Sequence, residues 1–181
     1  MILRMVLIKE KNPCLLENFE VIFTCDETSF VGKLVKKYKL EDVFLCIPPL
    51  YHTGAKMHWF GSLVVGGKAV ILKGTKPQWI IKTASDEKCS IIWLLVPWAQ
   101  DILDSIDSGD IELDQYNLDC WRLMHIGAQP VPPSLINRWK KVFPNHDYDT
   151  NYGLSESIGP GCVHLGVENV HKVGAIGKAG Y

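Results

Sequence analysis

Residues 89–107 read "CSIIWLLVPWAQDILDSID". The first eight are almost unbroken in their apolar character, which suits a strand buried on both faces. Pro97 then opens a segment of helical periodicity. Proline is favoured in a first helical turn, where its missing N–H has no intrahelical partner to lose. A doubly buried strand that leads straight into a helix points to a parallel sheet with helical crossovers.

The same alternation continues outward. Upstream, "DVFLCIP" (42–48) is a strand, and "AKMHWFGSLVV" (55–65) has helical spacing and stops at Gly66-Gly67. "KAVILK" (68–73) is a short β-branched strand, and "PQWIIKTASDE" (77–87) is a second proline-led helix. Downstream, "CWRLMHIG" (120–127) is strand-like. "PPSLINRWKKVF" (132–143) is amphipathic, with Leu135, Trp139 and Val142 on one side. "HDYDTNY" (146–152) is a further strand. The expected fold is α/β: a mainly parallel sheet with helices on both faces, spanning residues 42–181. Residues 1–41 form a poorly defined N-terminal segment, with "NFEVIFTC" its one strand candidate.

Composition narrows the function classes. The chain has 181 residues, 47% hydrophobic and 22% charged, with a net charge of -1. A nucleic-acid binder carries a basic excess, and none exists here. The basic cluster "KLVKKYK" (33–39) reads as a solvated helix face. Six cysteines (Cys14, Cys25, Cys46, Cys89, Cys120 and Cys162) form no CxxC pair. They read as buried thiols of a reducing, cytoplasmic compartment rather than a disulfide framework. No apolar run reaches membrane-spanning length, and the N-terminus lacks a cleavage site of the signal-peptide kind.

Ligands of open α/β sheets bind beyond the carboxyl ends of the strands. Three loops are expected there: "PPLYHTG" (48–54), "GAQPVPP" (127–133) and "DTNYGLSES" (149–157). The last sets an aromatic ring, a glycine, a hydroxyl and a carboxylate side by side. A tyrosine ring can stack on a base. A glycine lets the backbone approach a ligand closely. A serine hydroxyl can donate to phosphate, and a glutamate is a hard oxygen ligand for a magnesium shared with phosphates. A polar turn closing a strand is the plainer reading of the same residues.

"YGLSES" (152–157) resembles the YGxTE signature of the adenylate-forming superfamily, which includes the AMP-forming acyl-CoA synthetases, with serine at the threonine position. "PPLYHTG" resembles that family's proline-aromatic-histidine loop, and "IGAQPVPPSL" its glycine-alanine-x-proline loop. "KVGAIGKAG" (172–180) resembles its GSxGxP stretch, with Ala175 for serine and Ala179 for proline. The four motifs occur in the family's order. The resemblance implies an acid–thiol ligase that joins a carboxylic acid to ATP, then passes the acyl group to coenzyme A. It implies that Tyr152 stacks on adenine, Ser155 touches phosphate, and Glu156 holds magnesium. Gly127, Ala128 and Gln129 would line the adenine and acyl pockets, with Asn151 and Gly153 also at the nucleotide. His52 would sit near the acyl carboxylate, and Trp59, with Gly127, in the acyl pocket. Catalysis would then rest on Glu156, Ser155 and His52. A fatty or other small-to-medium acid is the expected substrate.

The sequence also departs from that family. The phosphate loop is missing, with "DETSF" (26–30) following the lead-in "IFTC". The ribose-binding aspartate, the hinge and the small C-terminal domain with its lysine have no counterparts. The expectation is a fragment of a longer enzyme, inactive alone.

Other readings stay open. A serine hydrolase needs G-x-S-x-G after a strand, and both "GLSES" and "SESIG" miss one glycine. Cys162, His164 and His171 match no standard zinc spacing. A non-catalytic segment that self-associates through its sheet edges, giving a homo-oligomer, is the third alternative.

Overall fold

A computed structural model describes residues 39, 41–47, 49–64, 66–154, 159–165 and 172–179. The elements are β1 (Val43–Cys46), α1 (Thr53–Val64), β2 (Lys68–Ile71), α2 (Pro77–Asp86), β3 (Ile91–Leu95), α3 (Val96–Asp107), β4 (Leu123–Gly127), α4 (Pro133–Val142), β5 (Asp147–Leu154), β6 (Gly159–Leu165) and β7 (Lys178–Ala179). The described strands form one sheet in the order β2-β1-β3-β4-β5-β6-β7. Neighbours from β2 to β5 are parallel. β6 and β7 continue the sheet antiparallel, so β5 and β6 make a hairpin. Helices α2, α3 and α4 each carry proline in their first two positions.

Strand order explains which face each helix covers. From β1 the chain steps outward to β2, then winds back past β1 to β3, β4 and β5. Right-handed crossovers send helices to opposite faces when the winding direction reverses. Two apolar clusters match. On one face Leu45, Ile92, Leu94, Met124 and Ile126 pack with Ile80 and Ile81 of α2, Ile102 and Leu103 of α3, and Leu135 and Trp139 of α4. On the other, Phe44, Cys46, Ile91, Trp93 and Leu123 pack with Ala55 of α1. Alternate residues of β3 serve alternate faces, as a strand covered on both sides requires.

The amino end of the sheet is tied by one carboxylate. Asp42 accepts hydrogen bonds from the Lys39 amide, the Ser90 hydroxyl and the Arg122 guanidinium. Burial alone would raise its pKa; the bonds from Arg122, Lys39 and Ser90 outweigh burial and hold it below the usual carboxylate range. Cys46 and Cys89 are buried thiols, but Cys120 is exposed, contrary to the reading of every cysteine as buried. It lies in the turn before β4, just outside the apolar run. No helix among the described residues is long and apolar enough to cross a membrane. The strand candidate "NFEVIFTC" lies outside the described residues.

Candidate active site

The winding reverses between β1 and β3, and such a reversal opens a crevice at the carboxyl ends of the strands. The loop after β1 lies at that edge and carries Tyr51 and His52 into α1. Tyr51 is 81% exposed. His52 stands over Trp93 of β3, with ring centroids 5.3 Å apart. Its Nδ1 accepts the Gly54 amide at 3.1 Å.

Strand β4 ends at the same edge. Gly127 is its last residue and pairs with Asn151 of β5. A Cβ at Gly127 would lie 3.6 Å from the Asn151 side-chain oxygen, an ordinary contact. The chain then turns at Ala128, whose φ of 65° is in the left-handed region. Left-handed backbone is costly for a residue with a Cβ, so this turn is held by its surroundings. Ala128 and Gln129 are exposed. Tyr152, one step beyond Asn151, is 53% exposed, and the β5–β6 register shifts at Tyr152/Gly153. An exposed ring beside an irregular stretch of ladder is available to a flat ligand.

The loop at 172–177 reaches the start of α4. Gly174 has φ 91°, and a Cβ there would fall 2.8 Å from Pro133 Cγ. Only glycine fits that approach without displacing the proline. Val173 and Val131 both pack against the larger cluster. The "GAQPVPP" loop and the "KVGAIGKAG" stretch, far apart in sequence, therefore meet in space. Ser155 and Glu156 lie outside the described residues. Trp59 packs against the α1-side cluster and beside Phe60, while Lys56 is exposed.

One group escapes the sequence reading. Beneath α1, His58 stacks on His125 of β4 with ring centroids 4.1 Å apart. His125 Nδ1 lies 3.6 Å from a carboxylate oxygen of Asp149 on β5. All three side chains are buried. Burial first, then the neighbouring His125, pushes the His58 pKa well below its usual value, against an opposing pull from Asp149. No local pattern marks residues that meet only through the sheet.

The comparisons with known proteins agree with this fold. The sequence profile described as "AMP-binding enzyme" matches residues 14–180. The chain belongs to the AMP-binding enzyme family. It is 26% identical over 152 residues to 4-coumarate-CoA ligase-like 3 of Arabidopsis thaliana, covering 83% of this chain and 27% of that protein. Among solved structures, the N-terminal domain of FACL13 from Mycobacterium tuberculosis superposes with a TM-score of 0.71 at 19% identity, covering 87% of this chain and 39% of that one. The o-succinylbenzoate coenzyme A synthetase of Bacillus subtilis, in complex with ATP and magnesium, gives 0.67 at 15% identity, over 84% and 31% of the two chains. The structural likenesses show the shared α/β fold. The chain spans about a quarter of the length of the curated relatives it matches.

Proposed function

We propose that this chain is the central part of an AMP-forming acyl-CoA synthetase. The observation that carries the reading is the position of the 49–54 loop, the Gly127–Gln129 turn and Tyr152 at the carboxyl ends of β1, β4 and β5 in an AMP-binding family chain. In the reaction a carboxylate attacks the α-phosphate of ATP and releases pyrophosphate, and coenzyme A thiol then takes the acyl group. Such transfers depend chiefly on positioning and on neutralising charge.

The chain's own residues divide that work. Tyr152 stacks on adenine. Gly127, Ala128, Gln129, Asn151 and Gly153 bring backbone and small side chains up to the nucleotide. Ser155 donates to phosphate. His52 faces the acyl carboxylate, and Trp59 bounds the acyl pocket together with Gly127. Magnesium keeps few protein ligands and shares phosphates, which suits the single carboxylate of Glu156. Bound there, the metal would neutralise phosphate charge.

The acid is a carboxylate of aromatic or fatty type, the former supported by the 4-coumarate name of the matched relative. Catalysis by this chain alone is not expected, since it spans about a quarter of that relative. The test is binding: titration with ATP and magnesium should be weakened by Tyr152→Ala by about 1–3 kcal/mol, the usual worth of base–aromatic stacking. Equal affinity in wild type and variant would remove the adenine assignment. A second assay follows pyrophosphate and thioester with a panel of acids, and acid-dependent turnover would overturn the expectation of inactivity.

Self-association is the second reading. It is supported by Ile71, which lies on β2, the edge among the described strands, and is 58% exposed. Light scattering across a concentration series distinguishes a monomer from paired copies.

A further inference from the structure

A helix leaves its first N–H groups without intrahelical acceptors. Serine, threonine, aspartate or asparagine usually supplies the missing acceptor. At the start of α1 the acceptor is an imidazole. The His52 carbonyl accepts the Lys56 amide at 3.1 Å, the first bond of the helix. The His52 side chain accepts the Gly54 amide at Nδ1, also at 3.1 Å. Its own amide donates to the Pro49 carbonyl at 2.9 Å. His52 is therefore the cap residue, and its ring is held by the helix it caps.

Two neighbours complete the arrangement. The indole of Trp93 lies against the imidazole at an interplanar angle of 48°. A Cβ on Gly54 would come within 3.0 Å of Trp93 and 3.2 Å of His52 Nδ1. Contacts that short demand movement of a ring on either side. The bare glycine lets the amide, the imidazole and the indole share one small space.

The consequence concerns a proton. An imidazole nitrogen that accepts a hydrogen bond carries no proton, so the neutral ring must hold its proton on Nε2. The partner of one ring nitrogen thereby sets what the other can do. We propose that the α1 cap presets His52 as an Nε2–H donor, with Gly54 and Trp93 as its positioning residues. What the donor meets, an acyl carboxylate, rests on the proposed function; the preset tautomer does not.

The test uses the full chain labelled with nitrogen-15 histidine, with His52→Gln to assign the signal. Long-range proton–nitrogen spectra at mildly alkaline pH distinguish the two tautomers. The expected result is a single form with Nδ1 bare and Nε2 protonated. An Nδ1–H form, or a mixture like that of free histidine, overturns the proposal without any variant. Gly54→Ala and Trp93→Leu should each move the signal toward the free mixture, while Trp93→Phe, which keeps a ring there, should retain it. Backbone amide spectra check that each variant is folded. Unchanged signals in both folded Gly54→Ala and Trp93→Leu overturn the positioning roles. Adding a carboxylate (acetate, then octanoate) addresses the function separately. An unmoved Nε2 signal counts against the acyl-carboxylate role, whatever the tautomer spectra have decided.

Discussion

His58 of α1 lies flat on His125 of β4, two imidazoles 4.1 Å apart at an interplanar angle of 30°, with Asp149 beside the second. A fully desolvated pair of this kind is stable while His58 is neutral. Its pKa lies well below the ordinary 6.5, chiefly through burial. The unfolded chain therefore binds a proton that the folded chain refuses. The stability that His58 contributes is complete above 6.5 and is lost as pH falls below it. His58→Leu should flatten this part of the pH dependence, as read from urea midpoints on both sides of that value. An unchanged slope would show that the pair does not limit acid stability.

A second buried imidazole titrates in the same direction at another place. His146 accepts the Trp139 indole N–H and stacks on Phe143. Burial pushes its pKa down to about 4 from 6.5. Between those values the folded chain should lose on the order of 3 kcal/mol as pH falls, at about 1.36 kcal/mol per pKa unit. His146→Phe should remove that loss, and the pair of variants at 58 and 146 should act additively because they occupy different faces.

Arg122→Ala strands a buried carboxylate. Asp42 would keep Ser90 and the Lys39 amide but lose its countercharge. Breaking a fully buried pair costs about 3–5 kcal/mol. Because the Arg122 side chain is 30% exposed, roughly 2–4 kcal/mol is expected. Thermal or denaturant unfolding measures it, and the double variant with Asp42→Asn should recover part of the loss.

Ala128→Gly should stabilise the chain by about 0.5–1 kcal/mol, since glycine adopts positive φ without the Cβ penalty. Lys88, with φ 53°, is the control. Lys88→Gly should give a similar gain but leave nucleotide affinity untouched, whereas Ala128→Gly removes a methyl from the turn proposed to face adenine and should change that affinity. Equal effects of the two on affinity would count against that turn as part of the site.

Gly174→Ala is expected to destabilise by about 1 kcal/mol or more, because both φ and the 2.8 Å approach to Pro133 oppose a side chain. Amide shifts around Pro133 should move in step. Shifts confined to residues near 174 would mean that the two loops do not touch in solution.

Much of this architecture is legible in the chain. The run at 91–95 and its proline-led helix are enough to indicate a parallel sheet, because burial on both faces leaves an unbroken apolar stretch. The strand-end loops follow from the alternation. The helix after "PPLYH" begins at Thr53 rather than at 55, because its cap is a histidine, which no capping rule signals. The His58–His125–Asp149 group and the Asp42–Arg122 pair join residues tens of positions apart, and periodicity carries no record of such meetings. Cys120 departs from the buried expectation because an apolar neighbourhood in sequence does not fix exposure in a turn.

The Asp42 tie binds β1, β3 and β4 at the end of the sheet opposite the loops proposed to face ligand. Anchorage is thus separated along the strands from the end proposed for recognition. Substitutions confined to the loops at 49–54 and 127–133 should therefore leave the anchored end intact. The loop end of this scaffold is in that sense a detachable part, open to change without rebuilding the foundation that carries it.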